Sequence, residues 1–310
     1  GFIGSNISKL LVKKNYNVKI FDNNSRGSIN NIKSFKKKVT FIKGDIRNKQ
    51  LLNRALKNTD AVIHLAAKLV HHRSSYNEYY QTNADGTKNV LDVALKSNAF
   101  FVYVSTNAVY GSPESPMTEN TKIAPRDGYA KTKLAGEQIC KEYESKGLEI
   151  AIVRPSVLIG KKRLGLYTII FKNLYNNSPV RILGNGENRV SFVNIDDLCD
   201  FLIFLVEKKI SKVTVNFGGK IPGTLNSVLE ELKNHTKSKS KIQHISIKYL
   251  GILKVLSKLK IIPITDWQLS VMYKDFYHDD KLLSSLGYDY KYEPIDALKD
   301  MADYYKSDLM

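Results

Sequence analysis

Short apolar runs alternate with stretches of helical periodicity over the first half of the chain. Each run is four or five residues long and nearly continuous in hydrophobic side chains, as expected of strands buried on both faces of a parallel sheet. The runs predict strands at Val18–Phe21, Val39–Ile42, Ala61–Leu65, Phe100–Val104 and Ile150–Val153. Apolar residues at helical spacing predict helices at Ile7–Val12, Gln50–Leu56, a long stretch ending near Ser97, and Tyr129–Ser145. This order predicts an α/β fold, a Rossmann-type doubly wound parallel sheet.

The regular alternation ends after Pro155, where glycine-containing loops interrupt a mixed order of elements such as the strand Val213–Phe217. We therefore expect a sheet domain, residues 1–160, and a smaller mixed α+β region, residues 161–310, some of whose elements rejoin the sheet. Within this region Lys248–Lys260 is amphipathic and basic, and Leu250, Leu253, Leu256 and Leu259 are predicted to fall on one face. We predict that this helix packs on the smaller region, and a helix lying on a membrane surface is the alternative.

Composition places the chain among ordinary globular proteins, with 310 residues, 43% hydrophobic and 25% charged. The two cysteines, Cys140 and Cys199, form no disulfide framework and show no metal-ligand spacing. They are typical of buried thiols in a reducing compartment. There is no signal peptide, and no apolar run approaches the ~20 residues of a membrane span. We expect a cytoplasmic protein without a metal.

The formal charge is unusual, because 48 lysines and arginines face 30 acidic residues, a net charge of +18. Such an excess suggests an anionic partner. However, 39 of the 48 cations are lysines, and they are scattered along the chain. Arginine is the better residue for forked contacts with phosphates and bases. The charge therefore predicts a lysine-rich solvated surface, without a nucleic-acid partner.

A glycine-rich turn opens the first predicted helix, in the order Gly1, Phe2, Ile3, Gly4. Such a turn allows backbone amides at the positive helix end to approach a pyrophosphate. About twenty residues later the next strand ends in Asp22. A carboxylate at that point can accept both hydroxyls of an adenosine ribose and would repel a 2′-phosphate. The glycine-rich turn and Asp22 together predict NAD as the cofactor, in preference to NADP.

Tyr129 and Lys133 form a YxxxK pattern on a predicted helix. Residues four apart share one helix face, so the phenol and the ammonium can act on one spot. Tyrosine is a poor base at neutral pH because its ordinary pKa is about 10. A nearby ammonium would lower that pKa. The pattern predicts that Tyr129 and Lys133 are catalytic.

Several motifs occur in the order found in the extended short-chain dehydrogenases/reductases. Gly1–Asn6 resembles the end of their TGxxGxIG phosphate loop, Gly44–Ile46 an acidic contact near the adenine, His64–Ala67 a strand-end turn and Tyr79–Thr87 their NxxGT helix. The chain thus resembles the NAD-dependent epimerase/dehydratase family. The resemblance implies cofactor contacts from the glycine turn and Asp22, from the YxxxK pair, and from Asp45, Ile46, Leu65, Ala66, Ala67, Asn83, Ser105 and Pro155.

The resemblance also implies that the first glycine of the loop and the first strand of the NAD-binding domain precede Gly1. The chain then looks N-terminally truncated. We expect the 310 residues by themselves to fold marginally and to bind NAD poorly.

The strand-end motif Ser105–Gly111 resembles the place where the family has a hydroxyl that shares the substrate proton with the catalytic tyrosine. That position is Thr106. The family's 4,6-dehydratases carry an Asp-Glu pair next, where this chain has Asn107 and Ala108. The resemblance therefore implies no dehydratase chemistry. It implies substrate contacts from Thr106, Asn107, Tyr129 and Arg189.

Two departures from the family leave the substrate open. Val157 stands where the family has an asparagine that contacts a diphosphate, and Val190 where many members have an arginine, with Arg189 one position earlier. The favoured function is an NAD-dependent epimerase of a nucleotide-activated sugar, of the UDP-sugar 4-epimerase type. The alternatives are an NAD(P)-dependent oxidoreductase, either a sugar-nucleotide 4-ketoreductase or a 3β-hydroxysteroid/dihydroflavonol type, and a non-catalytic dinucleotide-binding protein. By analogy with relatives we expect a homodimer through two long helices.

Overall fold

The protein is described by a computed structural model over residues 1–69, 75–163, 165, 167–259, 261, 269 and 271–309. Its strands are β1 (Val18–Asp22), β2 (Val39–Lys43), β3 (Ala61–His64), β4 (Phe100–Val104), β5 (Ile150–Pro155), β6 (Val157–Ile159), β7 (Val180–Leu183), β8 (Phe192–Asn194), β9 (Val213–Phe217) and β10 (Ile242–Ile245). Its helices are α1 (Phe2–Lys13), α2 (Lys49–Ala55), α3 (Tyr76–Tyr80), α4 (Gly86–Ser97), α5 (Gly128–Glu144), α6 (Tyr167–Tyr175), α7 (Ile195–Lys208), α8 (Leu225–His235), α9 (Leu250–Lys258), α10 (Lys281–Ser285) and α11 (Pro294–Leu309).

The central sheet is parallel, with the strand order β3-β4-β5-β9. Strands β1 and β2 also pair in parallel and form a two-stranded sheet of their own. Further parallel pairs join β6 to β8 and β7 to β10. These parallel strands with intervening helices confirm the predicted α/β class, and β9 joins the sheet from the second half of the chain, as expected.

Strand β4 shows why both faces of the sheet must be covered. Phe100, Val102 and Val104 are buried in a cluster with residues of α1 and α7. The alternate residues, Phe101 and Tyr103, are buried in a second cluster with residues of α4 and α5. Since successive strand residues point to opposite faces, the continuous apolar run predicted from the sequence corresponds to a strand between two helical layers.

The long helical stretch predicted up to Ser97 is divided in the structure. After α3 the residues Gln81–Asp85 form a π-helical segment, and α4 begins at Gly86. The sequence pattern missed this interruption because one extra residue in a turn shifts the apolar periodicity only slightly. The segment carries Asn83 and turns its side chain into the protein.

The second half of the chain has its own core, which contains residues of α6, α8 and α11. Helix α9 follows a 3₁₀ turn, Ile247–Tyr249, and lies at the surface. In the described part of the chain no helix is long and apolar enough to cross a membrane.

Candidate active site

The carboxyl ends of the central strands meet at one edge of the sheet. Leu65–Ala67 follow β3, Ser105–Asn107 follow β4 and Pro155 ends β5, where it pairs with Phe217 of β9. Ligands of open α/β sheets bind at this edge. The sequence-predicted residues of these turns are therefore brought together, as the parallel order requires.

Helix α5 is held close to the sheet by a glycine. Asp127 caps the helix by accepting a hydrogen bond from the amide of Ala130 at 2.8 Å. A Cβ on Gly136 would lie 2.1 Å from the Tyr103 hydroxyl oxygen, so a larger residue cannot occupy this position without moving the helix. The close approach allows Tyr103 to donate a hydrogen bond of 3.2 Å to the carbonyl of Lys133.

Lys133 is buried under the edge of the sheet, with only 2% of its surface exposed. Its Nζ lies 4.0 Å from the centroid of the Tyr103 ring, a cation–π contact. Burial lowers the pKa of Lys133 to about 8, and Glu137 on the next turn of α5 opposes that shift. At neutral pH the side chain carries a charge, which it loses in mildly alkaline solution.

Tyr129 and Thr106 lie together, as the resemblance implies. Burial raises the pKa of Tyr129 to about 12, while the positive charge of Arg163 and a hydrogen bond with Thr106 lower it. The cation that lowers this pKa in the protein is Arg163, and an effect of Lys133 on Tyr129 stays a prediction. The sequence contained Arg163 only as part of a basic cluster, and that pattern does not distinguish a site residue from a surface one.

A buried hydrogen-bond network begins at Ser105. The Ser105 hydroxyl donates to Oε1 of Glu137, whose carboxylate also accepts two hydrogen bonds from Arg154, at 3.0 and 2.6 Å. Arg154 in turn donates to the Tyr110 hydroxyl at 2.7 Å. Burial opposes the charge of Arg154, but the bonds to Glu137 outweigh it and raise its pKa. Ser105 therefore joins the strand end to α5 through its hydroxyl, a role that the resemblance did not imply.

Asn83 has a positioning role in the structure. Its Oδ1 accepts from the amide of Lys68 at 2.7 Å, and its Nδ2 donates to the Lys68 carbonyl at 3.1 Å and to Thr132 Oγ1 at 3.0 Å. Both amide protons are thus used within the protein. The side chain attaches the loop after β3, which contains Leu65, to helix α5.

His64, at the end of β3, is a buried residue that the sequence did not single out beyond its motif. Its Nε2 lies 3.0 Å from Thr87 Oγ1, whose own proton goes to the carbonyl of Asn83 at 2.7 Å. The imidazole therefore donates from Nε2. Burial and the charge of Lys133 lower the pKa of His64 to about 3, so the ring is neutral at physiological pH.

The glycine turn leaves open space at the start of α1. A Cβ on Gly4 would meet only Leu65 Cδ1, at 3.9 Å. Helix α1 has no side-chain cap and no acidic residue in its first turn, so the first amides remain available to a ligand. The small residues here make room beside the helix end, which fits a pyrophosphate.

Asp22 lies beside this turn. Its Oδ2 is 3.5 Å from the nitrogen of Gly1, and its Oδ1 accepts from the amide of Asn24 at 2.7 Å. Gly1, Gly4 and Asp22 line the same pocket. A carboxylate and free amides in one cavity match the ribose hydroxyls and the pyrophosphate of NAD, so the donor set fits that cofactor.

Asp45 and Ile46 lie at the same side of the protein. Arg47 holds Asp45 by two hydrogen bonds, at 2.9 and 2.8 Å, and the pKa of Asp45 lies well below its usual value chiefly for that reason. Asn23 also donates to it at 3.1 Å, which links Asp45 to the turn after Asp22. Ile46 is buried, and a Cβ on Gly86 would lie 2.5 Å from its Cδ1.

The remaining predicted substrate residues separate into two places. Asn107 is buried at the strand end, and its Nδ2 donates to Ser156 Oγ at 3.2 Å. Arg189 lies in the second half of the chain, where its guanidinium forms an ion pair of 2.7 Å with Asp275 and donates to the Tyr277 hydroxyl at 3.0 Å. Its described ion pair and hydrogen bonds are thus with Asp275 and Tyr277, which the sequence did not predict.

Comparisons with known proteins agree with this arrangement. The model of the NAD dependent epimerase/dehydratase family matches residues 1–218. The chain is 31% identical over 313 residues to an uncharacterized protein of Sinorhizobium fredii, covering 99% of the chain and 77% of that protein. It is 34% identical over 247 residues to a putative UDP-glucose 4-epimerase of Methanocaldococcus jannaschii, covering 76% of the chain and 79% of that protein.

Among solved structures, the UDP-glucuronic acid 4-epimerase of Bacillus cereus in complex with NAD superposes with a TM-score of 0.79. The two proteins are 24% identical, and the match covers 99% of this chain and 96% of that one. This likeness confirms the Rossmann-type fold over the whole length of the match.

Proposed function

The chain belongs to the NAD dependent epimerase/dehydratase family, and from this premise we propose that it is an NAD-dependent epimerase of a nucleotide-activated sugar, of the UDP-sugar 4-epimerase type. The observation that carries the proposal is the grouping of Tyr129, Thr106 and buried Lys133 at the carboxyl edge of the sheet. The reaction passes through a transient 4-keto sugar.

Bound NAD would supply the hydride acceptor for the sugar carbon and the hydride donor for its opposite face. The amides at the start of α1, from Phe2 to Gly4, would bind the pyrophosphate, and Asp22 would bind the ribose hydroxyls. Lys133 would face the nicotinamide ribose.

Tyr129 takes the proton of the sugar hydroxyl as the carbon is oxidised and gives it back when the carbonyl is reduced. Thr106 hydrogen-bonds the same oxygen and keeps it within reach of the phenol. Arg163 stabilises the phenolate that accepts the proton at the start of the reaction and is restored at its end, and Lys133 remains charged at neutral pH. The proton thus stays on one protein atom, the Tyr129 oxygen, during the life of the ketone.

The two residues after Thr106 argue against water elimination, which is the dehydratase reaction. Asn107 and Ala108 follow Thr106 and supply neither an acid nor a base. A ketoreductase remains the second candidate, because Val157 and Val190 place apolar side chains where the family resemblance implies contacts with a diphosphate. Val190 is also buried, which favours a less anionic substrate.

The proposal is tested by measuring the sugar product and the reduced cofactor in the same reaction. Protein loaded with NAD is incubated with a panel of UDP-sugars, and the products are identified by NMR while absorbance follows reduced cofactor. We expect the 4-epimer to form without net reduction of NAD. Reduced cofactor in proportion to product would instead identify an oxidoreductase, and NAD-loaded protein that changes no sugar would refute the proposed substrate class.

A variant pair tests the assignment of the proton carrier. Tyr129→Phe removes the phenol, and we expect a loss of activity of about 10²-fold or more. Tyr80→Phe, at a partly exposed tyrosine, is the matched control and should retain full activity. Equal activity of both variants would contradict the role of Tyr129.

Location and assembly complete the proposal. We place the enzyme in the cytoplasm, where the buried free thiols Cys140 and Cys199 stay reduced. We expect a homodimer through α4 and α5, and sedimentation of the purified protein distinguishes it from a monomer.

A further inference from the structure

Helix α9 presents apolar side chains to solvent. Ile252, Val255 and Leu259 are 59%, 55% and 65% exposed, and Tyr249 at the start of the helix is 56% exposed. At 100° per residue, the first three fall within a sector of about 60°. The described outward face is therefore a compact apolar stripe, which we call the α9 face: Ile252, Val255 and Leu259.

The opposite side of the same helix is half-buried, through Leu250, Leu253 and Leu256. This agrees with the predicted packing of a leucine stripe, except that Leu259 lies on the outer side. Helix α8, by contrast, buries its apolar residues, for example Leu229, and exposes charged ones such as Glu230 and Glu231. Because α9 carries apolar residues on both sides, packing of the leucine side still leaves its outer apolar side exposed to water.

The charge around this helix is one-sided. Residues 237–261 contain seven lysines and no aspartate or glutamate. Lys248 at the 3₁₀ turn before α9 is exposed, and so are Lys237, Lys239 and Lys241 before β10. An apolar face next to cations is the pattern of helices that lie in the interface of a membrane containing anionic lipids.

We propose that the α9 face docks on an anionic lipid surface, with its apolar side chains in the interface and the neighbouring lysines at the lipid headgroups. A second copy of this chain is a poor occupant, because an interface across a two-fold axis would bring two segments with seven lysines each together. The proposal does not depend on the enzymatic reaction, because none of the residues of the candidate active site takes part in the docking.

Vesicle co-sedimentation of the whole chain tests this docking. The probes are vesicles of phosphatidylcholine alone and vesicles that also contain phosphatidylglycerol, each at low and high salt. We expect sedimentation only with the anionic vesicles, and weaker sedimentation at high salt because the attraction is screened. Protein that stays in the supernatant with both kinds of vesicle would overturn the proposal.

Variants distinguish vesicle binding through the α9 face from binding through the general positive charge of the protein. Ile252→Asn with Val255→Asn should weaken binding about tenfold or more, since two apolar side chains no longer enter the interface. Ile169→Asn on α6, at a residue of 41% exposure, is the matched control and should bind like the wild type. Lys248→Glu should weaken binding roughly fivefold, and Lys36→Glu, the same charge change at an exposed position elsewhere, should not.

All variants are compared at equal helical content by circular dichroism. Equal loss from Lys248→Glu and Lys36→Glu would show that net charge alone causes the binding, and would overturn the assignment to α9. Light scattering supplies the competing outcome: a self-associated wild type that becomes monomeric on Ile252→Asn would show that the α9 face is an interface between copies of this chain.

Discussion

Replacing Lys133 by methionine should stabilise the protein while it abolishes activity. Burial lowers the pKa of Lys133 from 10.5 to about 8, and one pKa unit is worth about 1.4 kcal/mol. Keeping the charge in the folded protein therefore costs about 3 kcal/mol at neutral pH. Methionine has a similar length and no charge, so Lys133→Met removes that cost without leaving a cavity.

The sign of the pH dependence follows from the same shift. The unfolded chain holds the Lys133 proton more tightly than the folded one, because the folded pKa is the lower of the two. Between pH 8 and about 10.5 the unfolded state binds more protons, and the contribution of Lys133 to stability rises with pH in that window. The advantage of Lys133→Met should thus be about 3 kcal/mol at pH 7 and fall towards zero near pH 10.5.

Urea unfolding followed by circular dichroism measures this difference at several pH values. Lys131→Met is the control for the loss of a lysine, because Lys131 is an exposed lysine on the same helix, and it should not show the gain in stability at pH 7. A Lys133→Met variant that is less stable than the wild type at pH 7 would contradict this cost of burial, since the site would then favour the charge.

Three further substitutions test the neighbouring contacts. Glu137→Gln leaves the buried guanidinium of Arg154 without its counter-charge, and the free energy of unfolding should fall by about 3–5 kcal/mol in urea titrations; a loss below about 1 kcal/mol would contradict the buried pair. Gly136→Ala places a methyl group against the Tyr103 hydroxyl, so stability and turnover should both decrease, by about 1–3 kcal/mol in unfolding. Arg163→Met removes the cation that lowers the pKa of the catalytic phenol, so the alkaline rise of the pH–rate profile should move to higher pH, and an unchanged profile would exclude that role.

The proposed catalytic pair could be recognised in the sequence because its two residues are local neighbours. Tyr129 and Lys133 are four residues apart on one helix, and a helix fixes their relation wherever it packs. The strand-end position of Thr106 was predictable for a similar reason: parallel strands place their carboxyl ends at one edge. The α/β class was predictable from the alternation of short apolar runs with stretches of helical periodicity.

The roles of other residues depend on partners far along the chain. Ser105 meets Glu137, Asn83 meets Thr132 and Arg189 meets Asp275, pairs that are 32, 49 and 86 residues apart. A motif identifies the position of such a residue but not the group that its side chain contacts after folding. The outward apolar face of α9 is a further example, because a stripe of leucines on one side concealed the exposed residues on the other.

A UDP-sugar with deuterium at C4 of the sugar tests the proposed epimerase reaction most directly. The hydride that leaves C4 and returns to it within the protein is the deuterium label. The proton that passes to Tyr129 comes from the hydroxyl oxygen, so its exchange with water does not remove the label from C4. We expect the 4-epimer to retain its deuterium at C4 in ordinary water. Epimer that has exchanged this deuterium for hydrogen, or label recovered in released cofactor, would contradict the proposed reaction.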